Sequence, residues 1–355
     1  QTVRNTRAPA LIPSMSPEFE TSWLDLNQRL SKLEGTSGLE AALRELERHH
    51  LDSGFLDDTL ENVRSCTFYH PDDPSRFFRL QYNPKRAERF SVRRREARSL
   101  PAQNQGCFLC RENIKWQQQG TQFGYDIETG GRSFFALTNP FPLLPGHIVI
   151  ASAEHRTQEW SFHNGSGVDV CHLIDDLVRL SRRMPDHVGF YNGIDGGSSV
   201  PEHLHYQFLL RPDTVDAFPL ERAAALPAAC GSLAFVQRYP LEAAVWKGDV
   251  STVVNDACDW IMAWAQRNTR RLRGLTANFI TTFDRTGNRI VFYFVPRDRA
   301  RSRLQGINGI AGGLEVLGEI VLSSPDDAGH LDDGSIDYFK LERTLASLHT
   351  PLEVA

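Results

Sequence analysis

The sequence lacks long hydrophobic runs and is poor in sulfur. No stretch of its 355 residues reaches the ~20 consecutive apolar residues that a membrane-spanning helix needs. Six cysteines do not suggest a disulfide scaffold in a chain of this length. Basic residues are not in excess either, and the net charge of -5 argues against a protein that coats nucleic acid. We therefore expect no membrane or nucleic-acid partner and a reducing, cytoplasmic location.

The composition is that of an ordinary globular protein, with 41% hydrophobic and 23% charged residues. The length allows two domains, or one large domain with a repeated core. We expect no secretory signal in residues 1–17, which contain no long apolar core, and the missing first Met leaves the native start undefined. Two basic runs, Arg86–Arg98 and Arg297–Arg303, are either solvated surface or a rim that attracts phosphorylated small molecules. Within them, Arg86 and Arg297 are candidates for contacting outer phosphates.

Hydrophobic periodicity predicts an α+β fold around a mostly antiparallel sheet. Apolar residues at helical spacing run from Ser22 to His50, which indicates an N-terminal helical extension over residues 1–75. Beyond it, short strands alternate with helices, one of them predicted over Gly167–Met184. The later half repeats this pattern of helix and strand pair loosely. We therefore predict two pseudo-repeated halves, residues 76–212 and 213–355.

The run SSVPEHLHYQFLL, residues 198–210, places His203, His205 and Gln207 at alternate positions. In a β-strand these three side chains would share one face, opposite an apolar face. A histidine near a phosphate can act as a nucleophile and form a covalent nucleotidyl intermediate, provided that a neighbour holds its other ring nitrogen. Gln207 can donate to a phosphate oxygen but cannot protonate a leaving group, which favours leaving groups that are already stable anions. The alternative is a pair of satisfied polar histidines in a half-exposed strand.

A glycine-rich approach, NGIDGGSSVPE, precedes this run. Gly193, Gly196 and Gly197 permit the backbone to approach a ligand closely. Ser198 and Ser199 add hydroxyl and amide donors suited to an anion. Because glycine-rich turns are common, this feature alone leaves both interpretations of the histidines open.

The motif CFLC places Cys107 and Cys110 at the spacing of a metal-binding pair. His155 and His203 are the natural candidates to complete a Cys₂His₂ set, although their spacing is not that of a zinc finger. A redox pair is a second interpretation, but the flanking sequence has no βαβ pattern of the thioredoxin kind. Two buried thiols are the third.

The run NPFPLLPGHIVIASAEHRTQ, followed by HLHYQ, resembles the transferase branch of the histidine-triad superfamily. That branch includes galactose-1-phosphate uridylyltransferase, diadenosine tetraphosphate phosphorylase and GDP-L-galactose phosphorylase, and it carries glutamine where the hydrolase branch has a third histidine. The run HLHYQFLL looks most like the GDP-hexose phosphorylases, and an uncharacterised bacterial family carries the same CFLC and histidine motifs. The likeness spans roughly Arg76–Asp327. It implies a HIT-like antiparallel sheet whose first half is catalytic and holds zinc.

By position, His205 matches the nucleophilic histidine of that branch and Gln207 its phosphate-binding glutamine. Asn139 matches a position that contacts the nucleotide in the uridylyltransferases. The resemblance implies a structural zinc ion, for which the ligands would be Cys107, Cys110, His155 and His203. The candidate nucleotide- and phosphate-binding residues are Asn139, Asn192, Gly197, Ser198, Ser199 and Gln207.

Three departures from the patterns of these relatives affect the phosphate contacts. Glu202 and Leu204 stand where those enzymes have proline, and the loop is one residue longer than in the dinucleotide phosphorylases. The contacts of Ser198 and Ser199 are therefore less well defined than the role of His205.

The favoured function is a nucleotidyltransferase or phosphorylase that acts on a nucleoside diphosphate sugar or a related nucleotide. Inorganic phosphate or a sugar phosphate would be the acceptor, and a homodimer is the expected assembly if the chain oligomerises. The alternatives are a dinucleoside polyphosphate phosphorylase or hydrolase, and a nucleotide-binding protein without turnover. Intact His205 and Gln207 favour an enzyme, because a pure binder needs no nucleophile.

Overall fold

A large β-sheet, whose central strands are buried along nearly their whole length, forms the framework of the protein. The computed structural model describes residues 17–57, 60–88, 106–117, 121–162, 167–224, 233–305 and 309–352. Its helices are α1 Pro17–Ser37, α2 Leu39–Asp52, α3 Arg111–Gln117, α4 Val170–Arg183, α5 Pro219–Ala223, α6 Val250–Arg267, α7 Gly313–Val316 and α8 Tyr338–Ala346. Its strands are β1 Arg64–His70, β2 Asp73–Tyr82, β3 Tyr125–Thr129, β4 Arg132–Thr138, β5 Ile148–Ser152, β6 Trp160–Ser161, β7 Val168–Asp169, β8 His187–Asn192, β9 His205–Leu210, β10 Ala234–Phe235, β11 Ala244–Gly248, β12 Leu275–Asp284, β13 Arg289–Asp298 and β14 Glu319–Leu322.

Nine of these strands form one antiparallel sheet in the order β10-β11-β13-β12-β8-β9-β5-β4-β3. The two central strands, β8 and β12, pair with each other. Moving outward, β8 is followed by β9, β5, β4 and β3, and β12 is followed by β13, β11 and β10. The four strands nearest the centre therefore follow the same chain order on each side, and β3 extends one side by a fifth strand. This confirms the predicted α+β class with its antiparallel sheet, and the similar strand order on the two sides supports the two pseudo-repeated halves.

Helices α4 and α6 pack against each other on one face of the sheet. Each begins at an aspartate, Asp169 or Asp249, whose carboxylate accepts hydrogen bonds from backbone N–H groups of the first turn. Their apolar sides contribute to a core that contains Leu177, Ile261 and Trp264. The helix of the later half, α6, begins at Val250, directly after its capping residue Asp249.

A disulfide between Cys171 and Cys258 joins α4 to α6. The sequence did not predict this pair, because 87 residues separate the two cysteines and their spacing carries no signal. Among the cysteines that the structure describes, this is the one bridge, and a single bridge between two helices is not a disulfide scaffold. None of the described helices is both long and apolar enough to cross a membrane.

A smaller sheet, β1-β2-β14, lies outside the large one. Strand β14, from near the end of the chain, pairs in parallel with β2. The second apolar core forms here and contains Phe78, Ile320 and Leu341. Strand β1 pairs with β2 although it lies within residues 1–75, the range predicted as a helical extension. The domain boundaries at residues 75 and 212 stay predictions.

Helices α1 and α2 pack against β3 and β4. Trp23 of α1 is fully buried in a third apolar cluster, which it shares with Cys107, Cys110 and Leu137. A Cβ atom on Gly124 would overlap the Trp23 ring, at 2.6 Å, so only glycine permits this approach. The N-terminal helices are thus built into the fold beside the CFLC motif.

Candidate active site

Strand β9 presents its polar side chains to a cavity. It lies between β5 and β8, and His205 and Gln207 line the cavity. Tyr206 and Phe208 point into the opposite apolar core, as the alternation predicts. The expectation that His203 shares the face of His205 is wrong. The strand begins only at His205, and His203 lies in the preceding turn and faces the cysteines of CFLC.

The imidazole of His205 is oriented by its own chain. Its Nδ1 lies 2.8 Å from the carbonyl oxygen of His203, and a carbonyl can only accept, so Nδ1 carries the proton. In this tautomer the lone pair of the imidazole lies on Nε2. The side chain is buried, with 3% of its surface exposed, and it lines the cavity. This is the arrangement that a nucleophilic imidazole requires.

Gln158 holds the backbone of this histidine. Its Oε1 accepts from the His205 N–H at 2.8 Å, and its Nε2 donates to the His205 carbonyl at 3.0 Å. The same Nε2 donates to the carbonyl of Asn192 at 2.9 Å, so one amide ties β9 to the end of β8. Gln158 is completely buried. Sequence reasoning missed this role, because only the tertiary fold brings Gln158 to a strand 47 residues away.

His147 was also missed, and it orients Gln207. Its Nδ1 accepts from the backbone N–H of Leu143 at 3.1 Å, which places the ring proton on Nε2. That proton is donated to Oε1 of Gln207 at 3.0 Å. Burial lowers the pKa of His147 to about 3, so the ring is neutral. With its oxygen held by His147, the NH₂ group of Gln207 is the part that can donate to a ligand.

The cavity brings together most of the sequence-predicted residues. Asn139, Asn192, Gly197, Ser199, His205 and Gln207 line it. Ser198 is not among the lining residues, and its buried hydroxyl has no hydrogen-bond partner among the described residues.

The two arginine candidates differ in position. Arg86 lines the cavity and donates to the carbonyl of Phe141. Arg297 does not line it, and its guanidinium is buried and donates to Asn278 and to the carbonyl of Ala311. Burial lowers the pKa of Arg297 to about 10, still well above neutrality. Arg297 thus holds the interior together, and the expectation that it contacts substrate is wrong.

The later half of the chain supplies one wall of the cavity. Asn192 Oδ1 accepts from the side chain of Asn278 and from the backbone N–H of Gly313, both at 2.8 Å. Gly197 has a φ of +108°, and a Cβ atom there would lie 2.4 Å from Cα of Gly312. The glycine-rich loop of the first half therefore packs directly on a glycine pair of the second half.

A second cluster lies beside the cavity and has the composition of a metal site. The ligand atoms of Cys107, Cys110, His155 and His203 all lie within 4.8 Å of one another. His203 directs Nε2 to the carbonyl of Ser152 at 2.9 Å, which leaves Nδ1 for the cluster. That Nδ1 is 3.3 Å from Sγ of Cys107, and Nδ1 of His155 is 3.1 Å from Sγ of Cys110. A hydrogen bond from Cys110, followed by one from His203, lowers the pKa of the Cys107 thiol.

This donor set fits zinc. Two thiols and two imidazoles can close a tetrahedron, and a carbonyl that fixes the tautomer of a ligating histidine is a usual feature of such sites. The cluster is also continuous with the cavity, because Phe108 and Leu109, between the two cysteines, line it. The carbonyl of His203 accepts a hydrogen bond from Nδ1–H of His205. His203 therefore belongs to the cluster and also orients the nucleophile candidate.

Comparison with known proteins shows which sequence family and which solved structures this chain is similar to. Residues 57–209 match the family model described as domain of unknown function DUF4922. No curated protein sequence matches the chain. Among solved structures, yeast Ap4A phosphorylase Apa2 is similar, with a TM-score of 0.57 and 14% identity over 87% of this chain and 97% of that one.

Two complexes of the same yeast enzyme are similar as well. The complex with AMP has a TM-score of 0.56 and 15% identity, over 87% of this chain and 95% of the other. The complex with Ap4A has a TM-score of 0.56 and 16% identity, over 87% and 98%. The chain therefore shares its fold with yeast Ap4A phosphorylase Apa2.

Proposed function

We propose that this protein is a nucleotidyltransferase of the phosphorylase type, acting on a nucleoside diphosphate sugar or a related nucleotide. The observation that carries the proposal is the orientation of His205. Its Nδ1–H is bonded to the His203 carbonyl, and the ring lines a cavity together with Gln207. A binding protein would have no need of a buried imidazole held in this tautomer.

The proposed reaction has two displacements at one phosphorus. In the first, Nε2 of His205 attacks the α-phosphorus, a P–N bond forms, and the P–O bond to the leaving sugar phosphate breaks with its electron pair. In the second, an oxygen of inorganic phosphate or of another sugar phosphate attacks the same phosphorus. The P–N bond then breaks and its electron pair returns to Nε2. Binding both partners beside His205 supplies much of the rate enhancement.

Gln207 is the proposed donor to the α-phosphate. Its oxygen is held by His147 Nε2–H, so its NH₂ group can donate to a non-bridging oxygen on which negative charge builds. An amide cannot deliver a proton to the leaving oxygen. The site is therefore suited to leaving groups and acceptors that are already anions, which favours phosphate over water as the acceptor.

Zinc is the proposed occupant of the cluster formed by Cys107, Cys110, His155 and His203. With four protein ligands it would be a structural ion and would supply no reactive position. Its contribution would be to hold the CFLC segment and the turn before β9 together. The residues of this chain would then keep the His203 carbonyl in place for His205.

A dinucleoside polyphosphate is the second candidate substrate. The fold shared with yeast Ap4A phosphorylase, including its complexes with AMP and Ap4A, supports it. Among the described lining residues of the cavity, Arg86 is the one arginine or lysine and Glu315 the one carboxylate. One cationic and one acidic side chain give the cavity no excess of positive charge, which favours a diphosphate over a longer polyphosphate chain.

A substrate screen with and without inorganic phosphate tests the proposal. Purified protein would be incubated with UDP-, GDP- and ADP-sugars and with Ap4A, and nucleoside diphosphate release would be measured by chromatography. We expect phosphate-dependent release from at least one nucleotide sugar. Release from Ap4A alone would select the second candidate, and no turnover of any nucleotide would contradict the enzyme assignment.

A further inference from the structure

The N-terminal helices reach the cavity through one histidine. His50 lies at the end of α2 and is completely buried. Its Nε2 accepts from the backbone N–H of Phe123 at 3.1 Å. Its Nδ1 lies 2.7 Å from Oγ1 of Thr138, the last residue of β4. One imidazole therefore connects two separate segments of the chain.

Both of these segments line the cavity. Thr138 is a lining residue, and so is Gln122, which directly precedes Phe123. Both are buried polar side chains, with 2% and 7% of their surfaces exposed. The surrounding wall is apolar, because Leu137, Val149 and Leu109 also line it. A few polar groups in a mostly apolar wall are typical of the part of a pocket that selects its ligand.

The hydrogen-bond pattern shows that the Thr138 hydroxyl accepts a hydrogen bond from His50. A backbone N–H can only donate, so Nε2 of His50 is the acceptor and the proton of the neutral ring is on Nδ1. Nδ1–H therefore donates to Oγ1 of Thr138. Burial lowers the pKa of His50 to about 3, which keeps the ring neutral. Having accepted this bond, the hydroxyl can place its own proton toward the cavity.

We propose that His50 is a positioning residue that makes the Thr138 hydroxyl a hydrogen-bond donor to the base of a bound nucleotide, beside the amide of Gln122. The base is the part of a nucleotide that suits this wall, because its faces are apolar and its edge carries acceptors. The inference rests on the proposed function in one respect, namely that the ligand is a nucleotide. It gives the N-terminal helices a role in ligand selection.

Calorimetric titration with AMP, GMP, UMP and CMP tests this without requiring turnover. The variants are Thr138→Val, His50→Leu, His50→Gln and the double variant His50→Leu/Thr138→Val. His49→Leu is the matched control, because His49 is on the same helix and contacts the Phe123 ring but does not line the cavity. Melting temperatures are measured for all, and titrations are run well below the lowest.

Thr138→Val should weaken binding of the preferred nucleotide by about 3- to 10-fold, the effect of one neutral hydrogen bond. His50→Leu should weaken it by a similar factor, and the double variant should bind like Thr138→Val alone, because His50 acts through that hydroxyl. His50→Gln should restore most of the affinity, since a glutamine amide can also accept from Phe123 and donate to Thr138. His49→Leu should bind normally.

Three results would overturn the proposal. These are unchanged affinity in Thr138→Val, additive losses in the double variant, and equal losses for all four nucleotides, which would place the hydroxyl on ribose or phosphate. If the unaltered protein binds none of the four nucleotides, the proposed function fails, and this inference fails with it. Binding by the unaltered protein together with any of the three results leaves the proposed function standing and removes only the role of His50.

Discussion

Removing the metal cluster should lower the stability of the protein by a calculable amount. In the double variant Cys107→Ser/Cys110→Ser, two of four ligands are lost, and we expect no bound zinc. The cluster joins segments that are far apart in sequence, with 45 residues between Cys110 and His155 and a loop of similar length from there to His203. A cross-link that closes such a loop constrains the unfolded chain by about 4 kcal/mol.

Two such loops give an effect of about 4–8 kcal/mol on the free energy of unfolding. With an unfolding entropy near 2.1 cal/mol/K per residue, this corresponds to a melting temperature lower by about 5–10 °C. Cys66→Ser is the control, because Cys66 is an exposed free thiol outside the cluster. We expect the control to retain about one zinc per chain and a normal melting temperature.

Metal analysis by mass spectrometry and thermal unfolding by circular dichroism provide the two readouts. If freshly purified protein carries no zinc and the double variant melts with the Cys66→Ser control, the cluster is a set of buried thiols and imidazoles, and the reasoning is refuted. Zinc content that is normal in the double variant would equally exclude these ligands.

Three further predictions concern the cavity and its support. Gln158→Leu should leave buried backbone groups of His205 unpaired, which costs about 1–3 kcal/mol of stability for each. We also expect a lower kcat in the fraction that remains folded, because His205 is no longer held in place. A normal kcat would contradict the role of Gln158. Gln207→His should increase hydrolysis relative to transfer, measured as the ratio of products with and without phosphate. An unchanged ratio would show that the missing proton donor at this position does not limit hydrolysis. Burial lowers the pKa of both His50 and His147 to about 3. Because these rings titrate near pH 6.5 in the unfolded chain, acid protonates the unfolded state first. Each ring should therefore lower the free energy of unfolding by about 2 kcal/mol between pH 6.5 and 5. Melting temperature should therefore fall on acidification, and fall less in His50→Gln, while equal slopes would show that the ring is not neutral in the fold.

The fold class could be predicted from the sequence because it depends on local patterns. The apolar alternation of β9 and the helical period of α4 are visible within a dozen residues, and both elements occur where they were expected. The alternation failed at His203, because a turn interrupts the extended backbone between Val200 and Leu204. A pattern of side chains cannot reveal where a strand begins.

The supporting residues of the site could not be predicted for a different reason. Gln158 and His147 act through hydrogen bonds to groups 47 and 60 residues away. His50 contacts Thr138 across 88 residues, from the segment predicted to be an N-terminal extension. Such roles depend on which nitrogen or oxygen faces which partner, and this is determined by packing and not by sequence spacing.

The most direct test of the central claim is to isolate the covalent intermediate. The protein would be mixed with its preferred nucleotide sugar in the absence of phosphate, digested, and analysed by mass spectrometry. The account predicts a peptide that carries one nucleoside monophosphate on Nε2 of His205, lost on addition of phosphate and absent from His205→Ala. Turnover without any such adduct, or an adduct on another residue, would contradict it.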